Sequence, residues 1–197
     1  MNRRRDPQAR RQEIVDAACA LIPTLGVAGL THRAVAARAG VPVGSTTYYF
    51  ATLDDLTTAA LEQVTQSWTA DLAELEAEIK TADDPIAALV ALSLSYQGGE
   101  RAVVEAELYL AATRRPELRP LADCWRTALV DVLTLRFPQD RSRAAAVFLD
   151  GVLLDVLSNA TPLEPAAVTA ALRALLGTPV TAHPAAGAKG RISSIPS

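Results

Sequence analysis

The sequence contains few of the residues that enzyme active sites and metal centres use. Its 197 residues include 2 histidines, His32 and His183, and 2 cysteines, Cys19 and Cys124. No second histidine or cysteine stands at ligand spacing from any of them, which excludes a histidine-based triad and a site rich in His or Cys ligands. We therefore expect no catalytic residues, no metal and no cofactor, and two free, buried thiols in a reducing compartment.

Long apolar runs are also absent. No stretch approaches the roughly 18 apolar residues that a membrane-spanning helix needs. The basic start of the chain, with Arg3, Arg4 and Arg5, runs into Asp6 and Pro7 rather than into the apolar core of a signal peptide. We expect a cytoplasmic protein with no membrane partner.

Negative charge dominates overall, but its distribution is uneven. The net charge is −3, whereas residues 1–50 carry 7 arginines against 3 acidic residues, and the remainder is strongly acidic. An electropositive N-terminal part permits contact with a polyanion, although chance clustering of arginines gives the same count.

Apolar residues recur at helical spacing along most of the chain, and no strand pattern competes, which predicts an all-α fold of nine helices. Pro23 is expected to kink or end the first helix, with Gly26 just beyond it. Residues 178–197 are rich in Pro, Ala, Gly and Ser and are expected to be disordered. The predicted helices cover about 8–24, 32–39, 42–50, 52–80, 84–97, 100–115, 116–137, 141–159 and 165–176.

Residues 31–50 have the spacing of a helix-turn-helix. Thr31 is a suitable N-cap, Gly40 can adopt the positive φ that ends the first helix, and Pro42 fits the start of the second. The second helix presents the hydroxyls and phenols of residues 45–49, groups that suit base edges and phosphates in a major groove. The alternative is a solvated loop with one aromatic residue, Phe50, in the core.

This region resembles the DNA-binding region of the TetR family of bacterial transcriptional repressors, over about residues 10–60. The stretches that carry the resemblance are Ile14-Val15-Asp16-Ala17-Ala18, then Gly29-Leu30-Thr31-His32-Arg33-Ala34-Val35-Ala36-Ala37-Arg38-Ala39-Gly40-Val41, then Gly44-Ser45-Thr46-Thr47-Tyr48-Tyr49-Phe50, and Leu56. Two positions depart from the common pattern: many members have Tyr in place of Thr47 and Lys in place of Leu53. The missing lysine shifts phosphate contacts toward the arginines of residues 3–11 and the amides that follow Thr52.

The resemblance implies roles for individual residues of the DNA-binding part, residues 1–51, which we call the head. Thr31 and Arg33 would contact the DNA backbone or the groove edge, and Tyr48 and Tyr49 would contact phosphates. The residues that would face bases are Pro42, Val43, Ser45, Thr46 and Thr47. The implied partner is a double-stranded, palindromic DNA operator bound by a homodimer.

The resemblance also implies a domain organisation. Residues 1–51 would form the DNA-binding domain and residues 52–177 a ligand-binding and dimerisation domain, with 52–80 as the connecting helix and 178–197 as the tail. The segment 147–157 is apolar nearly all round, so it independently requires cover on two sides. The residues expected at the dimer interface are Val147, Gly151, Val152, Leu154, Asp155, Val168 and Leu172.

The effector pocket is expected among the middle helices. Glu107 stands on an otherwise apolar helical face and needs a partner, which is either Arg126 or a cationic or hydroxyl-bearing ligand; Asp150 and Asp155 raise the same question. The aromatic residues among the candidates fit an ordinary core equally well. The candidate pocket residues are Trp68, Tyr96, Glu107, Tyr109, Trp125 and Phe148.

The predicted function is that of a DNA-binding transcriptional regulator, not an enzyme, associated with the nucleoid. It would be a repressor that a small, largely hydrophobic effector releases from its operator. The effector would favour a distance between the two heads of the dimer that no longer fits the operator. The main alternative is a helical module that binds a protein partner through residues 147–157. A helical carrier of hydrophobic molecules, or an enzyme, is a third alternative.

Overall fold

The computed structural model describes residues 6–95, 99–159 and 161–178, with the side chains of 67, 69 and 70 left aside. Within these ranges the chain forms helices and no strand, so the all-α prediction is confirmed. The helices are α1 (Pro7–Leu25), α2 (His32–Ala39), α3 (Val43–Tyr49), α4 (Leu53–Ser67), α5 (Thr69–Thr81), α6 (Pro85–Ser95), α7 (Glu100–Arg114), α8 (Arg119–Thr134), α9 (Gln139–Ser158) and α10 (Pro165–Leu176). Short 3₁₀ turns at Val27–Gly29 and Pro116–Leu118 precede α2 and α8.

All nine predicted helices are present, and one of them is divided. The helix predicted over 52–80 is interrupted at Trp68, which ends α4 and precedes α5. The Trp68 N–H donates to the carbonyl of Thr65, three residues back, instead of continuing the four-residue pattern. The break places a large, buried aromatic ring at the junction of the two helices.

The ends of the first helices follow the capping signals of the sequence. Helix α1 continues two residues beyond Pro23 and ends at Gly26, whose φ is 68°. Thr31 caps α2 by accepting a hydrogen bond from the Ala34 N–H at 3.0 Å. Gly40 lies in the left-handed region at φ 65°, where a residue without a Cβ is favoured, and the tight turn there sets the direction of α3.

Helix α4 begins with a reciprocal cap. The Thr52 hydroxyl accepts from the Asp55 N–H, and the Asp55 carboxylate accepts from the Thr52 N–H. The cap therefore satisfies the amides of Thr52 and Asp55, and the first turn carries the acidic residues that the helix dipole favours, as the sequence predicts.

One continuous core runs through the described helices. It extends from α1–α3, where Phe50 is buried as predicted, through α4 and α5 into α6–α10. Helix α8 packs against α5 and α9, and α10 packs against α6 and α9. The space between α6, α7, α8 and α9 is bordered by these four helices.

Three of the residues predicted for a dimer interface are buried in the core of the single chain instead. Val152, Val168 and Leu172 are buried within a single chain, because α10 uses its apolar face against α6 and α9. They cannot contact a second copy, so that part of the prediction is wrong. On α9, by contrast, Val147 and Leu154 have 53% and 47% of their surface exposed.

The structure also bears on the predictions for the cysteines and for membrane-spanning helices. Both cysteines are free; Cys19 is half-buried, but Cys124 is exposed, so its predicted burial is wrong. No described helix has the length and apolar character needed to cross a bilayer. Arg3 to Arg5, Tyr96 and nearly all of the expected tail, residues 179–197, lie outside the described residues.

Candidate functional site

The first candidate site is the outer face of α3, formed by Pro42, Val43, Ser45, Thr47, Tyr48 and Tyr49. Tyr48 is 81% exposed, and its ring meets that of Tyr49 edge to face with centroids 5.1 Å apart. Together with Arg10 of α1, most of this face borders a surface cleft. Hydroxyl, phenol and guanidinium groups thus project from one surface, where they can donate to an anion.

Thr46 does not belong to that face. It is 0% exposed, and its hydroxyl donates to the Val43 carbonyl at 2.8 Å. The same oxygen lies 3.1 Å from Nδ1 of His32, which must then carry the hydrogen. The prediction that Thr46 contacts a base is therefore wrong, because its side chain joins α3 to α2. Because α3 is short and lacks an apolar stripe, the sequence does not show which of its threonines turns inward.

The other predicted residues of the head remain at the surface. Thr31 and Arg33 are exposed, and the Thr31 hydroxyl still has a hydrogen to donate after capping α2. The Arg11 guanidinium carbon lies 4.8 Å from the centroid of the Phe50 ring, which holds this cation beside α3.

The second candidate site is a cavity enclosed by α6, α7, α8 and α9. Its free volume is about 40 Å³, room for only a few water molecules. Most of the lining is apolar, with two carboxyl groups and one hydroxyl. The lining residues are Leu92, Ser93, Ala102, Glu105, Trp125, Leu129, Leu149, Asp150, Val152, Leu153 and Val156.

The carboxyl groups share one phenol, in a group of three residues that we call the Glu105 cluster: Glu105, Tyr109 and Asp150. The Tyr109 Oη lies 2.9 Å from Glu105 Oε1 and 3.0 Å from Asp150 Oδ1. A phenol has one hydrogen to donate, so the second short contact requires a hydrogen from a protonated carboxyl. Asp150 also accepts from Arg126 Nη1 at 3.2 Å, which favours its charged form. We therefore expect the proton on Glu105 rather than on Asp150.

Burial raises the pKa of all three groups of the Glu105 cluster. Glu105 is 3% exposed, and burial, reinforced by the charge of Asp150, raises the pKa of Glu105 to about 7 despite the opposing influences of Tyr109 and Arg101. Burial also raises the pKa of Asp150, against the lowering by Tyr109 and Arg126. The pKa of Tyr109 is raised by burial and by both carboxylates. Glu105 thus gains or loses its proton near neutral pH.

Two of the predicted pocket residues lie together at this site. Trp125 lines the cavity, and Tyr109 belongs to the Glu105 cluster. Trp68 packs edge to face on Trp125, with centroids 6.3 Å apart, but does not itself line the cavity. Phe148 packs against the core and is not part of the lining either.

Glu107 has a different place from the predicted one. Its Oε2 accepts from the Val27 N–H at 2.7 Å, so it ties α7 to the 3₁₀ turn between α1 and α2. Gly26 passes so close that an added Cβ would lie 2.8 Å from the same oxygen. Arg126, the predicted partner, pairs with Asp123 and Asp150 instead.

Glu105, the buried acid, is not among the pocket residues predicted from the sequence. Glu105 and Glu107 are two positions apart, which is about 200° around a helix, so the two carboxyl groups leave α7 on nearly opposite sides. The signal that identifies Glu105 is its spacing: Ala102, Leu108 and Ala112 lie three, three and seven positions away, and all are buried.

The comparisons with known proteins agree over most of the chain. Residues 14–60 match the model for bacterial regulatory proteins of the tetR family, and residues 80–178 match the model for the tetracyclin repressor-like C-terminal domain. A search of curated proteins finds no match.

Solved structures of high similarity include the multidrug binding protein EbrR in complex with imidazole, with 42% identity, a TM-score of 0.75 and coverage of 87% of this chain and 97% of that chain. EbrR in complex with ethidium has 40% identity, a TM-score of 0.75 and coverage of 85% and 98%. A TetR family member from Streptomyces coelicolor A3 has 40% identity, a TM-score of 0.75 and coverage of 85% and 98%.

The proton on Glu105 makes stability depend on pH. The folded pKa of about 7 exceeds the unfolded value of 4.5, so the stabilisation is complete below 4.5 and is lost as the pH rises through 7. The variant Glu105→Gln cannot lose this proton. Its free energy of unfolding, measured by urea denaturation, should rise relative to the wild type by on the order of 2 kcal/mol from pH 5 to pH 8.

The control for this measurement is Glu62→Gln, which removes an exposed carboxylate of α4. Its difference from the wild type should be the same at both pH values. A Glu105→Gln difference that does not change between pH 5 and pH 8 would show that Glu105 is ionised throughout.

Proposed function

The chain belongs to the TetR family of bacterial regulatory proteins, and we propose that it is a repressor whose effector is a small aromatic cation. Residues 1–51 form the DNA-binding domain in this proposal, and residues 52–177 form the domain that binds the effector and dimerises. The observation that carries the choice of effector is the buried carboxyl of Glu105 in a mostly apolar cavity.

The outer face of α3 supports DNA binding. Val43 and Thr47 offer methyl groups and a hydroxyl to base edges, and Tyr48 and Tyr49 offer phenols to phosphates. Thr31 and Arg33 of the preceding segment lie at the surface beside them. The excess of arginine in residues 1–50 supplies the positive potential that attracts a polyanion to this face.

An apolar strip on α9 supports a homodimer. Val147, Gly151 and Leu154 follow one another at spacings of four and three, and all are exposed. A second copy packed on this strip would cover it and place two α3 helices on a palindromic operator. Asp155 is occupied within the chain, where it accepts from the Leu163 N–H at 2.9 Å.

The Glu105 cluster supports a cationic effector. A buried carboxyl stays neutral unless a positive charge accompanies it, and Glu105 currently holds a proton in that role. Proflavin, ethidium and malachite green, which are bound in structures of EbrR, are aromatic cations. A ligand of this type would replace the proton as counter-charge to Glu105 and stack on Trp125.

A structural connection between the cavity and the head supports release of the protein from DNA when the effector binds. The cavity of about 40 Å³ cannot hold such a ligand without movement of its walls, which include α7. Helix α7 is tied by Glu107 to Val27, at the connection between α1 and α2. Effector binding would then weaken DNA binding by the difference between its affinities for the two states.

The alternative in which residues 147–157 bind an unrelated protein is not favoured. The family membership accounts for both the head and the helical domain, and a second copy of the chain provides cover for the exposed strip.

Two variants of α3 test DNA reading on an operator selected from a random DNA pool. Tyr48→Phe should weaken binding about fivefold on all sequences, because it removes one hydrogen bond to phosphate. Thr47→Ala should mainly reduce the preference for the selected operator over random DNA. Gel-shift titration measures both, with Thr113→Ala, an exposed change on α7, as the control. Equal losses on selected and random DNA for both variants would contradict these roles.

A variant of the cavity tests the effector. Glu105→Gln should bind ethidium roughly tenfold to a hundredfold more weakly, because a charge-assisted contact is lost, and more ethidium should be needed to release the operator. Isothermal titration calorimetry measures the first effect and fluorescence anisotropy of labelled operator the second. Glu62→Gln is the matched control. Equal ethidium affinity in Glu105→Gln and the wild type would exclude Glu105 as the counter-ion.

A further inference from the structure

Beside the cavity, two tryptophans hold a cation that belongs to the protein itself. The Arg101 guanidinium carbon lies 5.0 Å from the ring centroid of Trp68 and 4.5 Å from that of Trp125. The two rings stand at 84° to each other, so the guanidinium faces both π systems. Both distances lie within the roughly 6 Å range of cation–π attraction. We call Trp68, Trp125 and Arg101 the tryptophan site.

The tryptophan site brings three parts of the fold together. Trp68 stands at the junction of α4 and α5, Trp125 comes from α8, and Arg101 comes from the first turn of α7. An ion pair with Asp71 of α5 anchors the guanidinium on its outer side. The Arg101 side chain is 18% exposed and that of Asp71 is 44% exposed, so the anchor lies at the protein surface.

The tryptophan site adjoins the cavity. Trp125 belongs to both, and Ala102, the neighbour of Arg101, is part of the cavity lining. Arg101 and Glu105 stand one helical turn apart, and the positive charge of Arg101 acts to lower the pKa of Glu105. On its other side Arg101 lines a surface groove with Asp71 and Trp68. Arg101 therefore stands between the groove and the buried carboxyl.

We propose that Arg101 is the internal occupant of a cation site formed by Trp68 and Trp125, and that a cationic effector binds by displacing its guanidinium from between the two rings. This inference rests on the proposed function, in which the effector is an aromatic cation. A guanidinium is itself a flat, delocalised cation, so the two rings and the Asp71 carboxylate that hold Arg101 suit a flat organic cation as well.

Displacement also provides the space that the ligand needs. The cavity is too small for a tricyclic dye, and withdrawal of Arg101 would join it to the surface groove across the faces of the two tryptophans. The displaced guanidinium can leave Asp71 and turn toward Glu100, which lines the same groove. The net free energy of effector binding is then the free energy of the ligand's contacts with the two rings, less the free energy of the Arg101 contacts that are lost.

Tryptophan fluorescence comes from the tryptophan site alone, because the chain has 2 tryptophans and both belong to this site. Intrinsic tryptophan fluorescence therefore follows occupancy directly. Ethidium serves as the probe, in titrations of the full-length protein without DNA, and calorimetry gives an independent affinity.

The variant Arg101→Met keeps an unbranched apolar side chain and removes the competing cation. It should bind ethidium roughly threefold to thirtyfold more tightly than the wild type, with stronger quenching of tryptophan fluorescence. The matched control is Arg114→Met, which removes the same charge from an exposed position at the far end of α7. If Arg101→Met binds ethidium no more tightly than Arg114→Met, the displacement mechanism is wrong.

Asp71→Asn provides a second test in which simple electrostatics and displacement predict opposite results. Loss of a negative charge should weaken cation binding, whereas loss of the anchor of Arg101 should strengthen it. Displacement predicts tighter ethidium binding than in the wild type, and this result decides the matter if Arg101→Met does not fold. Weaker binding by Asp71→Asn overturns displacement while leaving the cationic effector in place. Failure of the folded wild type and both variants to bind ethidium overturns the proposed effector and the displacement together.

Discussion

The burial of the Glu105 carboxyl among α6, α7, α8 and α9 is the constraint on which the proposed effector site depends. An unpaired carboxylate in such an interior costs several kcal/mol, so the position must carry either a proton or a cation. The Tyr109 hydroxyl contacts this carboxyl, and below its pKa of about 7 a proton neutralises it. Next to it, Arg101 fills the tryptophan site. A cationic ligand can therefore replace two resident positive groups, a proton and a guanidinium, without leaving a buried charge unpaired.

Helix α7 connects this site with the DNA-reading head. It carries Glu105 on the side of the cavity and Glu107 on nearly the opposite side, where the carboxylate accepts from Val27. The close approach of Gly26 leaves little room for α7 to shift without moving the turn between α1 and α2. Thr46 and His32 then join α2 to α3, so a displacement of that turn would be passed to the reading helix through hydrogen bonds as well as packing.

Local signals predicted most of the fold, and features that depend on packing were missed. The caps at Thr31, Gly40 and Thr52 depend on neighbouring residues alone, and the structure confirms them. The inward turn of Thr46 and the break at Trp68 depend on what each helix packs against, which one sequence does not show. The pocket acid was placed at Glu107 instead of Glu105, because a helix that is apolar on much of its circumference leaves its rotation undetermined.

The most direct test is the number of protons released when ethidium binds, measured by calorimetry in buffers of different ionisation enthalpy. If the dye replaces the proton on Glu105, whose pKa is about 7, most of one proton should leave per bound dye at pH 6.5 and almost none at pH 8.5. The Glu105→Gln variant should release none at either pH. Ethidium binding without proton release at pH 6.5 would contradict the exchange of a proton for a cation at Glu105.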